Sequence, residues 1–326
     1  MSGQPARLIA VPARPSGQPV RANTVVSPGT YVISGVEAQA PPVANASIPL
    51  TLLNDAQAEA EAQRPESACR LLEQIIERWP SHVPALLLLG CLRQSGGEGQ
   101  EARRLYRLIH EKQPDCWQAL YNEALLDLAE GARETAISRL KEACALAPTE
   151  PEPMFRLALA LEEAGRYREA LVWYKRAVGV RETFPSAWLR AALILMRFGL
   201  WAEAAGAIEH CLDSEEDGAA MWYHYALCQL ELGDGEKARM ALEESHRRRN
   251  DSAPVLRALA LLSVLDGNLE LAVRYERAAT EYGEPSASII YRLALAFQER
   301  GNHEQARHFY RQAVQLDPSL AAGYFN

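Results

Sequence analysis

Few side chains in this sequence stand in patterns that could do chemistry. His303-Glu304-Gln305-Ala306-Arg307-His308 has the two histidines and the carboxylate that metal-assisted hydrolysis uses. Its histidines are five apart, however, and a helix brings together residues three or four apart, so the pair leaves the shared face a metal needs. Ser95-Gly96-Gly97-Glu98-Gly99 could let backbone approach a phosphate but lacks a Gly-Lys-Ser/Thr ending, and reads as a turn. Asp213-Ser214-Glu215-Glu216-Asp217-Gly218 gathers four carboxylates but misses the spacing of an EF-hand loop, and reads as a solvated connector. His246-Arg247-Arg248-Arg249 could pair a phosphate, yet its place at a helix end is where cations complement the dipole. The six cysteines are scattered with no C-x-x-C pair, which points to reduced thiols and a cytoplasmic chain; Cys211 and Cys228 read as packing residues. No Ser-His-Asp or Cys-His set can be assembled, because every histidine occupies a different place in the pattern described next. The expectation is a non-enzyme with no catalytic residue, cofactor or metal.

What organises the chain is a period of thirty-four residues. Blocks start at Pro49, Val83, Trp117, Pro151, Pro185, Ala219, Ala253 and Ala287 and run without insertion over 49–320. The twentieth position is alanine in all eight: Ala68, Ala102, Ala136, Ala170, Ala204, Ala238, Ala272 and Ala306. The eighth is always small, being Gly90 in block two and alanine elsewhere. The fifteenth is glycine from block two onward, and proline stands at the thirty-second in Pro80, Pro114, Pro148 and Pro318. Small residues at eight and twenty allow two antiparallel helices to approach closely. Glycine at fifteen supplies the positive φ that ends the first helix, and proline stops the second. Each block is therefore an αα-hairpin that must stack on its neighbours to bury its apolar face.

Composition agrees with an array. Of 326 residues, 48% are hydrophobic and 23% charged, and the net charge of −8 disfavours nucleic acid and anionic membranes as partners. No apolar run is long enough to span a bilayer. Residues 1–48 stand apart: they hold seven of the nineteen prolines but only the charges Arg7, Arg14, Arg21 and Glu37, a net +2. Such a tail is expected to be disordered. Thr24-Val25-Val26 and Tyr31-Val32-Ile33 around Pro28-Gly29 leave open a local hairpin, or a segment that folds back as a ligand of its own array. Residues 321–326 begin an incomplete ninth block.

The large-small pattern resembles the tetratricopeptide repeat family, over about five-sixths of the chain. That resemblance implies an all-α, right-handed superhelix of eight repeats whose first helices line a concave groove. Departures are local: position eleven is polar in Glu59, Arg93, Asp127, Gln229 and Ser263, and block one lacks the glycine. Ligand contacts in the family come chiefly from first-helix positions two, five, six, nine, twelve and thirteen. Carried onto this chain, they nominate Tyr121, Phe155, Leu189, Tyr223 and Tyr291 at position five, and Asn122, Arg156, Arg190, His224 and Arg292 at six. They add Leu125, Leu159, Leu193, Leu227 and Leu295 at position nine and Met196 at twelve. Tyr121, Phe155, Tyr223 and Tyr291 are the expected anchors, since aromatic residues dominate interface energetics. The alternative is that these apolar residues merely seal neighbouring helices.

The resemblance implies a cytoplasmic adaptor that binds an amphipathic helix or an extended apolar peptide. It does not extend to the clamp that grips an Hsp70 or Hsp90 C-terminal tail: Asn122 and Arg156 match parts of it, but Leu87, Cys91 and Glu152 stand where the clamp has lysine, asparagine and lysine. Two rival readings remain: a recruiting subunit for a separate enzyme or secretion machine, and a scaffold that self-assembles into a homo-oligomer through its C-terminal repeat.

Overall fold

The structure is a computed structural model and describes residues 47–212, 218–249 and 251–323. The Pro-rich tail with its hairpin and self-ligand readings, the acidic connector and Tyr324 of the ninth block lie outside the described residues. The described residues fold into sixteen α-helices and no strand, arranged as consecutive hairpins. They divide into two compact units, one ending at Glu182 and the other beginning at Thr183. The first unit holds α1 (Ser47–Glu61), α2 (Pro65–Arg78), α3 (Val83–Ser95), α4 (Gly99–Lys112), α5 (Trp117–Ala129), α6 (Arg133–Leu146), α7 (Pro151–Glu163) and α8 (Tyr167–Val180). The second holds α9 (Pro185–Arg197), α10 (Trp201–Glu209), α11 (Gly218–Glu231), α12 (Gly235–Arg248), α13 (Ala253–Leu265), α14 (Leu269–Glu281), α15 (Ala287–Glu299) and α16 (His303–Leu316), followed by a 3-10 turn, Pro318–Gly323. Within each unit every helix packs on the next, so a second helix is clasped between its own partner and the following first helix.

The constant small residues sit at those contacts. The eight alanines at position twenty are buried, and so are the eight small residues at position eight. Gly90 differs from its alanine counterparts for a local reason: a Cβ there would come within 2.5 Å of Tyr106 Cε1. The turn between the helices of a hairpin repeats as a Schellman motif. In the second hairpin the N–H of Gly97 donates to Gln94 O at 3.1 Å and that of Glu98 to Arg93 O at 2.8 Å, and Gly97 has φ 81°. The first hairpin closes in the same way without glycine. Gln63 takes φ 58°, and Gln63 and Arg64 donate to Ala60 O and Glu59 O. The prolines at position thirty-two stand two residues beyond the ends of α2, α4, α6 and α16. The last three hairpins add side-chain caps, with Asp234, Asn268 and Asn302 accepting from the N–H of Lys237, Leu271 and Gln305.

The polar residues at position eleven have structural partners. Asp127 is buried between two arginines of flanking second helices: Arg103 Nη1 lies 2.8 Å from its Oδ1, and Arg139 pairs with Oδ2. Arg103 also reaches Glu130 at 2.8 Å, and Arg139 reaches Glu123 at 3.3 Å, making a network that ties α4, α5 and α6 together. Arg93 bridges Glu73 and Glu98 at 2.6 and 2.8 Å. Ser263 donates to Leu259 O within its own helix.

Candidate binding surface

First-helix residues at positions five, six, nine and twelve fall into two groups. In the first unit the position-five side chains are sealed. Tyr121 is 2% exposed and Phe155 8% exposed, which overturns the expectation that they project as anchors. For Phe155 the cause is a contact between positions five and twenty-four of the same hairpin, which recurs between Tyr291 and Tyr310. The Phe155 and Tyr174 rings lie 5.7 Å apart, a distance at which aromatic faces and edges attract. Tyr121 stands edge-on to Trp117 at 6.2 Å, and its hydroxyl accepts a hydrogen bond from Arg156 Nε at 3.2 Å. Burial pushes the Tyr121 phenol above its ordinary pKa, against a smaller opposing effect of Arg156. Asn122 is also corrected from surface to interior: it is fully buried and its amide donates to Cys91 Sγ at 3.3 Å. What remains partly open in this unit is Leu125, Leu159 and Arg156.

The second unit keeps more of the nominated set accessible. Leu189, Arg190, Leu193 and Met196 on α9, Tyr223 and Leu227 on α11, and Tyr291 and Arg292 on α15 are all partly exposed, and Leu295 is 39% exposed. Tyr223 and Tyr291 nevertheless also do seam work. Tyr223 packs against the cluster of Ala226, Leu242 and Val255, and the Tyr291 ring meets Tyr310 edge-on at 5.4 Å. His224 sits beside Tyr223 with ring centroids 5.6 Å apart, and its Nδ1 has no hydrogen-bond partner among the described residues. Burial disfavours its cation and lowers its pKa to about 4, so the ring is neutral at pH 7 and able to accept or donate one further hydrogen bond. Among the described residues no group of three His, Cys, Asp or Glu is placed to hold a metal. The arginine run ending α12 is engaged locally: Arg247 and Arg248 with Glu244, Arg249 with Asp251.

Sequence reading missed a pairing that decides which position-twelve residues stay apolar. Where position twenty-four is tyrosine, position twelve is Gln or Glu and accepts its hydroxyl: Tyr106 to Gln94 at 2.9 Å, Tyr174 to Glu162 at 2.7 Å and Tyr310 to Gln298 at 2.8 Å. Where position twenty-four is Leu140, Ile208 or Leu242, position twelve is Leu128, Met196 or Leu230. The signal was present as a covariation of twelve residues' spacing within the chain. In the seventh hairpin the same places hold Glu276 and Val264, with Arg257 at position five.

Sequence profiles of the tetratricopeptide repeat match residues 127–193 and 287–320, and that of anaphase-promoting complex, cyclosome, subunit 3 matches residues 163–245. Together with sixteen helices in tandem hairpins, these matches decide the family. The chain is a tetratricopeptide-repeat protein. Solved structures of the same fold include YrrB, described as a tetratricopeptide-repeat protein with an unusual peptide-binding site, at 17% identity and a TM-score of 0.50 over 55% of this chain and 92% of that one. Pseudomonas aeruginosa PilF aligns at 17% identity and a TM-score of 0.50 over 62% of this chain and 92% of its own. No curated protein matches the sequence. As in other tetratricopeptide-repeat proteins, a surface for protein partners is the functional element of this chain, and none of its helices is long and apolar enough to cross a membrane among the described residues.

Proposed function

We propose that this tetratricopeptide-repeat protein is a non-catalytic scaffold that captures an apolar segment of another polypeptide on the first helices of its second unit. The observation that carries this reading is the half-open apolar row there. Leu189, Leu193 and Met196 on α9, Tyr223 and Leu227 on α11, and Tyr291 and Leu295 on α15 keep part of their surface in water although each has helical neighbours to pack on. An incoming amphipathic helix or extended segment would remove that surface at about 25 cal/mol per Å². Arg190 and Arg292, beside the row at position six, suit a carboxylate or backbone carbonyls of the segment. YrrB, of the same fold, offers a precedent for peptide binding. The burial of Asn122 supports leaving chaperone C-terminal tails aside, since one of the two clamp residues in this chain is out of reach.

The test is affinity capture from source-cell lysate with wild type and the Leu193→Asp/Leu227→Asp variant, with circular dichroism and melting curves as controls. Proteins retained by wild type and lost by a folded variant are expected. Equal capture by both contradicts the reading.

A further inference from the structure

A second surface lies on the other helices of the hairpins. A groove of about 380 Å³ opens between α6 and α8, the second helices of the third and fourth hairpins, and Met154 of α7 also lines it. Pro148 and Val180 give it an apolar wall, and Val180 is 42% exposed. Trp173, Arg176 and Lys141 give it a cationic, aromatic side. The Arg176 guanidinium carbon stands 4.6 Å from the Trp173 ring centroid, which holds the cation over the groove instead of leaving it free in solvent. Both cations are exposed, and neither Arg176 nor Lys141 forms an ion pair within 4 Å among the described residues. Glu169, which Lys141 influences only electrostatically, already has its oxygens engaged by Arg166 at 2.7 Å.

Nine of the thirteen other arginines described on this unit face a carboxylate, Arg93, Arg103, Arg139, Arg166 and Arg181 among them, while Arg70, Arg78, Arg156 and Arg168 do not. What sets Lys141 and Arg176 apart is that both flank one apolar cleft, which makes the cleft complementary to an external carboxylate on a chain of net charge −8. Two cations are too few to hold a nucleic-acid backbone against that overall charge. The chain's own tail, with three arginines and one glutamate, has the wrong sign.

We propose that the α6–α8 groove is a second docking site, for a partner segment in which an aspartate or glutamate adjoins a large apolar side chain. The apolar residue enters between Pro148 and Val180, and the carboxylate is met by Arg176 and Lys141. This site is separate from the first-helix row of the second unit and does not depend on it.

The experiment is panning of a random dodecapeptide phage library on the full chain, with counter-selection on the Lys141→Glu/Arg176→Glu variant. All substituted side chains are exposed, so the fold is expected to persist, and circular dichroism checks it. The expected result is enrichment of peptides that carry Asp or Glu next to Phe, Leu, Ile or Trp. Their synthetic forms should bind the charge-reversed variant about tenfold more weakly, and Val180→Asp, which leaves both cations in place, should weaken them as well. Leu193→Asp/Leu227→Asp should leave this binding unchanged, which separates it from the function proposed above. Absence of variant-dependent enrichment, or enrichment of neutral or basic peptides, overturns the proposal. So does sedimentation showing that charge reversal merely dissociates a dimer, since the occupant would then be a second copy.

Discussion

Gln63 holds a backbone conformation that seven glycines hold at the same place in the other hairpins, with φ between 73° and 81° for the glycines and 58° for the glutamine. A side chain in the left-handed region costs about 1–2 kcal/mol, partly offset because glycine has more unfolded-state entropy to lose. Gln63→Gly is thus expected to stabilise the chain by up to about 1 kcal/mol in urea denaturation. Gly131→Ala should destabilise by about the same amount. No atom would crowd the new Cβ of Gly131→Ala, so backbone strain alone is being read. A destabilised Gln63→Gly protein would show that the glutamine side chain makes a contact worth more than the strain. At this scale the sequence was partly legible. The glycine register announced the turn, but Gln63 fills the same conformation with no sequence signal, because hydrogen bonds from Gln63 and Arg64 fix the turn whatever the residue. The anchors were misread for a related reason. An aromatic at position five looks the same in sequence whether its ring faces water or a tyrosine of the adjacent helix, and only the Phe155–Tyr174 contact distinguishes the two.

Pairs of helices explain what single residues do not. Glu276 of α14 is buried where other hairpins carry tyrosine or an aliphatic residue, and its Oε1 accepts from the N–H of Ser286, the residue that caps α15, at 3.2 Å. Arg257 of α13 acts on it only electrostatically: its guanidinium donates to Glu284 O, and Glu276 Oε2 has no hydrogen-bond partner among the described residues. Burial raises the Glu276 pKa, outweighing the Ser286 hydrogen bond and Arg257, which lower it. The folded state therefore binds this proton more tightly than the unfolded chain does. Its contribution to stability is fully present below the ordinary carboxylate pKa and is lost as pH rises through the raised folded value. Glu276→Gln keeps an acceptor oxygen and cannot ionise. Its melting temperature should exceed that of wild type at pH 7 and above, and the difference should shrink or vanish toward pH 4. A constant difference at all pH values would mean that the carboxylate does not titrate in the folded chain's range. Polar residues at position eleven were visible as departures from the repeat, but their meaning lay in partners about twenty-four and twelve residues away, as in Arg103 and Arg139 around Asp127.

Over the whole molecule, the period of thirty-four made the helices, their turns and their close contacts readable, because a hairpin that cannot fold alone imposes the same demands on every copy. It did not make the binding surface readable. Positions five and nine serve both to seal neighbours and to meet ligands, and at position five the balance differs between units: Tyr121 and Phe155 are closed in the first, while Leu189, Tyr223 and Tyr291 are partly exposed in the second. The most direct measurement is hydrogen–deuterium exchange of the full chain alone and in complex with a protein captured by wild type and lost by Leu193→Asp/Leu227→Asp. The account predicts that protection gained on binding falls on α9, α11 and α15. Protection confined to the second helices, or to the first helices α5 and α7 of the first unit, would contradict it.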